Sequence, residues 1–124
     1  MTSNIKGLGN DIVEVTRIRE SIERHGKHFL DRLFTQKEQD YCNKFQDSAL
    51  HFAGRFAAKE ALAKALGTGF GAELSWLDLE ILNNAQGKPI VHLSQELKKR
   101  VNPSQILVSI SHTVQYATAV AILA

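Results

Sequence analysis

The chain places charged groups where their surroundings argue against charge. In Gly54-Arg55-Phe56-Ala57-Ala58-Lys59-Glu60-Ala61-Leu62-Ala63-Lys64-Ala65 most residues are alanine or large and apolar. Ala and Leu are the strongest helix formers, so the run predicts a helix, and one that is apolar nearly all round belongs inside the protein. Glu60 and Lys64, four apart, share a face with Ala53, Phe56 and Ala57, and Arg55 and Lys59 form a second such pair a quarter-turn or more away. Charges on a buried helix need a partner, an ion or a cavity. A second acid, Asp11, reads as the end of a strand over residues 5–13, on the face it shares with Gly7 and Gly9. Glycine in a strand marks the close approach of a backbone or a ligand. The alternative for Asp11 is a capping role, because a helix starts near Thr16.

Two further clusters suit anions. Ser111-His112-Thr113 gathers several donors at one strand end, and Gly67-Thr68-Gly69-Phe70-Gly71 has the glycines that let backbone N–H groups approach a phosphate. The loop is not a P-loop, since Lys64 precedes it and no Gly-Lys-Ser/Thr follows. Alone, each is also compatible with an ordinary turn or a flexible loop. The remaining histidines lack metal-ligand spacing, so no zinc site is read.

The elements that must position these groups follow from periodicity and turn chemistry. Residues 15–25 predict a helix with Ile18 and Ile22 inward and a basic outer side, from Arg17, Arg19 and Arg24 on to Lys27. Residues 28–34 read as a short helix or turn. Thr35-Gln36-Lys37-Glu38 is a capping box that opens a helix to about residue 45. The long helix starts at Asp47 or Ser48 and stops at Gly67. Strands are expected at 77–82 and 90–93 around the turn at 83–89, then a short helix at 94–101 capped by Ser94, then strands at 105–111 and 116–123. Strands joined by short loops pair antiparallel, which gives an α+β fold: a small antiparallel sheet packed against a long central helix and shorter helices.

Composition bounds the function. The sequence has 124 residues, 44% hydrophobic and 23% charged, with a net charge of +2. That suits one domain over 1–124 and gives no sign of bulk nucleic-acid or membrane binding. The lone Cys42 excludes an internal disulfide and fits a reducing, cytoplasmic setting. No apolar leader or membrane span is read.

Three stretches coincide with a known pattern: Gly7-Leu8-Gly9-Asn10-Asp11-Ile12 followed by Arg17-Ile18; Arg55-Phe56-Ala57-Ala58-Lys59-Glu60-Ala61 with Lys64-Ala65; and Ile110-Ser111-His112-Thr113 with Tyr116-Ala117. In this order the chain resembles the holo-[acyl-carrier-protein] synthases, the short, single-domain phosphopantetheinyl transferases. The resemblance implies transfer of 4′-phosphopantetheine from coenzyme A to a serine of apo-acyl carrier protein for fatty-acid synthesis, with release of adenosine 3′,5′-bisphosphate. It implies Mg²⁺ held by Asp11 and Glu60, with Lys64 beside them as a catalytic cation. It implies coenzyme A binding by Arg55, Lys64, Gly67, Gly87, Lys88, Pro89, Ser111, His112 and Thr113, and carrier-protein binding by Arg17; beyond Arg17 the carrier-facing helix varies in the family, so Arg24, Lys27 and Phe29 are candidate contacts only. It also implies a cytoplasmic homotrimer with active sites between subunits. The base for the serine proton stays open between a water on the metal and Glu60 or Asp11 acting through water, and Lys59 stays unassigned. The competing readings are a transferase for a specialised carrier, a non-catalytic nucleotide-phosphate module, and a purely structural surface pair Glu60–Lys64.

Overall fold

The computed structural model describes residues 4–103 and 105–124; the first three residues of the domain expected over 1–124, and Ser104 within it, lie outside them. The elements run β1 (Gly7–Glu14), α1 (Val15–His25), α2 (Lys27–Leu33), α3 (Gln36–Cys42), α4 (Ser48–Leu66), β2 (Leu79–Asn83), β3 (Pro89–Leu93), α5 (Gln95–Lys98), β4 (Ile106–His112) and β5 (Tyr116–Leu123). The fold is α+β, as expected, but its strands form two antiparallel sheets, β1-β5-β4 and the hairpin β2-β3.

Helix α4 crosses the inner face of the larger sheet, and small residues bring the two together. Ala57, Ala58, Ala61 and Ala65 on the helix and Ala117, Ala119 and Ala121 on β5 are all buried. A methyl group added to Gly9 would stand 2.0 Å from the Ala61 carbonyl oxygen, and one on Gly7 would stand 2.2 Å from that of Ala65. The glycines expected to mark a close approach therefore mark that of α4 itself. Phe34, Phe52, Leu62, Leu74, Leu79 and Ile81 fill the core on the far side of the helix.

Several local signals act as written. Thr35 and Glu38 form the reciprocal capping box at the start of α3, Ser94 caps α5, and Gly67 ends α4 in the left-handed conformation at φ 81°. Other expectations need correction. Asp11 lies within β1, paired with Ala119, rather than at its end, because the ladder continues through Val13 and Glu14 to Ala117 and Tyr116. Helix α3 stops at Cys42 instead of reaching residue 45; turns at Lys44 and Phe45 carry the chain away, and Phe45 stacks on His51 of α4. Leu77 and Asp78, expected to begin a strand, belong instead to a 3₁₀ turn over Trp76–Asp78, since Ser75 and Asp78 cap it reciprocally. Helix α5 covers Gln95–Lys98 rather than 94–101.

The outer face of the larger sheet carries exposed apolar side chains among polar ones. Leu8 (66% exposed), Ile12 (62%), Leu107 and Val120 all face outward. The register sets Leu8 and Leu107 on either side of Ile122, and Val120 opposite Asn10.

Candidate active site

Phe56, Glu60 and Lys64 follow one another at four-residue steps along α4 and line one cavity of about 610 Å³ together with Asp11 of β1 and Arg17 of α1. The face predicted from helical spacing is thus the face that meets Asp11. Lys64 Nζ lies 3.1 Å from Asp11 Oδ1 and donates to the Asn10 carbonyl at 2.9 Å. Glu60 is half-buried, and its carboxyl pKa is raised above the ordinary range, first by burial and then by the Asp11 charge, with Lys64 opposing. The bland arrangement, a Glu60–Lys64 surface pair, is not what forms: Lys64 pairs with Asp11.

Two carboxylates lining one cavity, with the Asp11 charge raising the cost of ionising Glu60 and a lysine ammonium already drawn in, are a donor set suited to a small cation. Among the described residues no group of three or more His, Cys, Asp or Glu converges on one point. Two carboxylates alone fit Mg²⁺ rather than a metal caged wholly by protein, since Mg²⁺ is commonly held by one or two carboxylates and completes its shell with water and substrate phosphate.

On the α1 and α2 side the cavity is lined by Arg17, Glu20, Arg24 and His25, with Phe29 beside them. The basic side expected for this region divides by partner. Arg19 is clamped bidentately on Asp47 at 2.9 and 3.1 Å, and Lys27 is tied to Asp31, Gln36 and Gln39. Arg17 and Arg24 have no partner among the described residues.

The predicted phosphate bases do not form one group. Arg55 and Lys64 are nine residues apart on α4, which is about 13 Å along the axis and half a turn around it. Arg55 lines a smaller cavity of about 190 Å³ on the other flank, with His112, Gly87 and Pro89. Its Nη2 donates to Asn83 Oδ1, Asn83 Nδ2 donates to the Gly87 carbonyl at 2.8 Å, and the guanidinium lies 4.3 Å over the Tyr41 ring. The turn at 84–87 is thereby tied to the central helix. Ser111 sits on the opposite strand face from His112, and the Thr113 hydroxyl accepts from the Gln115 and Tyr116 amides within its own turn. Lys88 lines a third cavity between β3 and β4, and Gly67 lies at the Lys64 end of α4.

Comparison with known proteins identifies the family of the chain. Residues 7–121 match the 4′-phosphopantetheinyl transferase superfamily. A holo-[acyl-carrier-protein] synthase of Protochlamydia amoebophila is 54% identical over 116 residues, covering 94% of this chain and 95% of its own. The chain belongs to the holo-[acyl-carrier-protein] synthase family. Among solved structures, the Helicobacter pylori holo-[acyl-carrier-protein] synthase in complex with coenzyme A superposes with a TM-score of 0.88 at 37% identity, covering 94% of this chain and 99% of that one. The Bacillus anthracis synthase in complex with coenzyme A (3′,5′-ADP) gives a TM-score of 0.83 at 36% identity, covering 98% and 97%.

Sequence reasoning passed over several residues of the two cavities. Phe56 had the visible signal, four residues before Glu60 on the same face. His51 is four residues before Arg55 in the same way. Tyr41 and Asn83 carry no periodic signal, because they reach the smaller cavity from other elements. The question left open for Lys59 has a clear answer. It is fully buried and donates to Glu38 Oε1 at 2.8 Å, to the Leu33 carbonyl at 2.7 Å and to the Trp76 carbonyl at 3.1 Å.

Proposed function

We propose that this chain transfers the 4′-phosphopantetheine group of coenzyme A to a serine hydroxyl of an apo-acyl carrier protein, for fatty-acid synthesis, and releases adenosine 3′,5′-bisphosphate. The carrying observation is the convergence of Asp11, Glu60 and Lys64 in one cavity whose rim is Arg17 and Arg24, in a member of this family. A site for anions alone gains nothing from two carboxylates, which argues against a mere nucleotide-phosphate module.

Asp11 and Glu60 would hold Mg²⁺. When bound, the ion polarises the phosphoryl oxygens and neutralises charge on the departing bisphosphate. Lys64, mobile and half-exposed beside Asp11, swings its ammonium onto the same phosphates. The serine oxygen forms a bond to the phosphorus that carries pantetheine, and that phosphorus releases the bridging oxygen of the pyrophosphate. The serine proton passes to a water beside Asp11 and Glu60, the two carboxylates that line the cavity. Arg55 and His112 grip the 3′-phosphate monoester of coenzyme A.

Those two sets of bases stand on opposite flanks of α4, so one coenzyme A molecule is best met by the Lys64 flank of one copy and the Arg55 flank of another. The exposed Leu8, Ile12, Leu107 and Val120 on the outer sheet face support the same assembly, since clustered apolar side chains in water mark contact surfaces. The assembly we propose is a homotrimer, working in the cytoplasm where coenzyme A and carrier protein are found. Among the described residues no helix is long and apolar enough to cross a membrane.

The test is direct. Incubation with apo-acyl carrier protein, coenzyme A and Mg²⁺ is expected to add phosphopantetheine to the carrier, read by mass spectrometry. Undiminished transfer in EDTA, or none with several carriers, would refute the reading. Light scattering is expected to give three times the 13.8 kDa of one chain.

Arg17 supplies a further prediction. It is exposed and unpaired at the rim, so it is placed to meet an acidic carrier, and charge at a rim mainly governs encounter. Arg17→Glu is expected to raise KM for the carrier roughly tenfold or more while leaving KM for coenzyme A within about twofold. Equal rises in both constants would remove Arg17 from carrier recognition.

A further inference from the structure

The smaller cavity is lined by donors that have no acceptor. Arg55 is 4% exposed, and its buried Nε has no hydrogen-bond partner. His51 and His112 meet edge to face with ring centres 5.7 Å apart, and neither ring makes a hydrogen bond among the described residues. Phe45 stacks on His51 at 3.6 Å and holds its plane. No carboxylate lines the cavity. The nearest acid along the chain, Asp47, is engaged bidentately by Arg19. An orphaned guanidinium N–H and two unpartnered imidazoles around a space of about 190 Å³ make an incomplete set of hydrogen bonds that an anion completes.

We propose that His51 is a further coenzyme A-binding residue, which donates to the phosphate monoester received by Arg55 and His112 and takes up a proton as that dianion enters. The proposal rests on the reading of this cavity as a coenzyme A site; the role of His51 and the proton uptake go beyond it.

The charged and titratable groups around His51 set the direction. Burial, then His112 of β4, then Arg55 of α4 lower its pKa below the usual histidine range, and Asp47 ahead of α4 opposes only in part. Tyr41 of α3 is the remaining titratable group in the lining. The ring is therefore neutral in the empty cavity. A phosphate monoester carries a charge of about −1.5 to −2 at pH 7 and reverses that balance. A neutral imidazole can donate only one hydrogen bond, a protonated one two. Binding of the dianion thus raises the His51 pKa, and affinity rises as pH falls from about 8.5 towards 6.5. Below about pH 6 the phosphate itself gains a proton and the advantage ends.

Calorimetric titration of the intact protein with coenzyme A, in two buffers of different ionisation enthalpy at pH 7, counts the protons exchanged. The wild type is expected to take up a substantial fraction of a proton. His51→Phe keeps the stack on Phe45; it should remove most of that uptake and weaken coenzyme A about tenfold at pH 6.5, the lower range for a hydrogen bond between charged groups, and far less at pH 8.5. His51→Gln, a donor that does not titrate, is expected to bind with intermediate affinity and without the uptake. With 3′-dephospho-coenzyme A the wild type and both variants should bind alike. Equal uptake and equal affinity in wild type and His51→Phe would overturn the proposal, as would a His51 effect of the same size on 3′-dephospho-coenzyme A. A wild type that bound no coenzyme A at all would instead strike down the reading of the cavity, and the proposal with it.

Discussion

Glu60→Gln is expected to abolish most transferase activity while the protein melts at the same temperature or slightly higher. Glutamine keeps the volume and one carbonyl oxygen but removes the charge. In the native site that charge is unfavourable to folding, since burial and the Asp11 carboxylate both disfavour its ionised form. Its loss therefore relieves repulsion in the folded state. For catalysis the balance is opposite. Two carboxylates suit a divalent cation, one is a poor site, and stabilisation of phosphoryl charge by such an ion amounts to several kcal/mol, with about 1.4 kcal/mol per tenfold in rate. A fall of roughly a hundredfold or more in kcat/KM, partly recovered by raising Mg²⁺, is the expected result. A variant of full activity would remove Glu60 from the metal site. A variant that loses its cooperative melt would show that Glu60 serves the fold instead.

Much of this site was legible because helix geometry is local. The spacing of Phe56, Glu60 and Lys64 dictates a shared face whatever the rest of the chain does, and the capping signals at Thr35, Ser94 and Gly67 are equally local. The bare strand face of Gly7 and Gly9 was readable as a close approach, although the approaching backbone, α4, could be named only once the fold was known. What the sequence hid depends on contacts between distant segments. Arg55 and Lys64 lie in one motif and looked like parts of one phosphate grip; the half-turn between them sends them to different cavities. The pairing of Lys64 with Asp11 rather than Glu60 spans 53 positions. Ser111 and His112 are adjacent, yet strand alternation points them to opposite faces. Tyr41 and Asn83 reach Arg55 from α3 and β2, a meeting no periodicity encodes.

Lys59→Met, one position from Glu60, is expected to have the contrary effect, a large loss of stability. The Lys59 ammonium is fully buried, and burial depresses its pKa while Glu38 pulls it back. It is held because every partner is in place. It donates to the carbonyls of Leu33 and Trp76 and to Glu38, and Glu38 in turn accepts from the amides of Thr35 at 2.9 Å and Ile81 at 2.9 Å. One ion pair thus joins α4 to the end of α2, the start of α3, the 3₁₀ turn and β2. Methionine matches the stem but leaves the Glu38 carboxylate buried without a counter-charge and the Leu33 carbonyl without its donor, while the Trp76 carbonyl keeps only the Leu79 amide. Breaking a buried pair from one side costs about 3–5 kcal/mol, against a total of about 5–15 kcal/mol for a domain of this kind. A fall in Tm of roughly 10–15 °C follows. The double variant Lys59→Met/Glu38→Gln removes the stranded charge and keeps an acceptor for one amide, so it should cost less than the sum of the single changes. If Lys59→Met melted within about 2 °C of the wild type, the pair would not be what fixes α4 against these elements. The motif Lys59-Glu60 then divides by direction alone: successive side chains on one helix, 100° apart, one turned into the core to hold the helix in place and the other turned to the cavity where that placement is used.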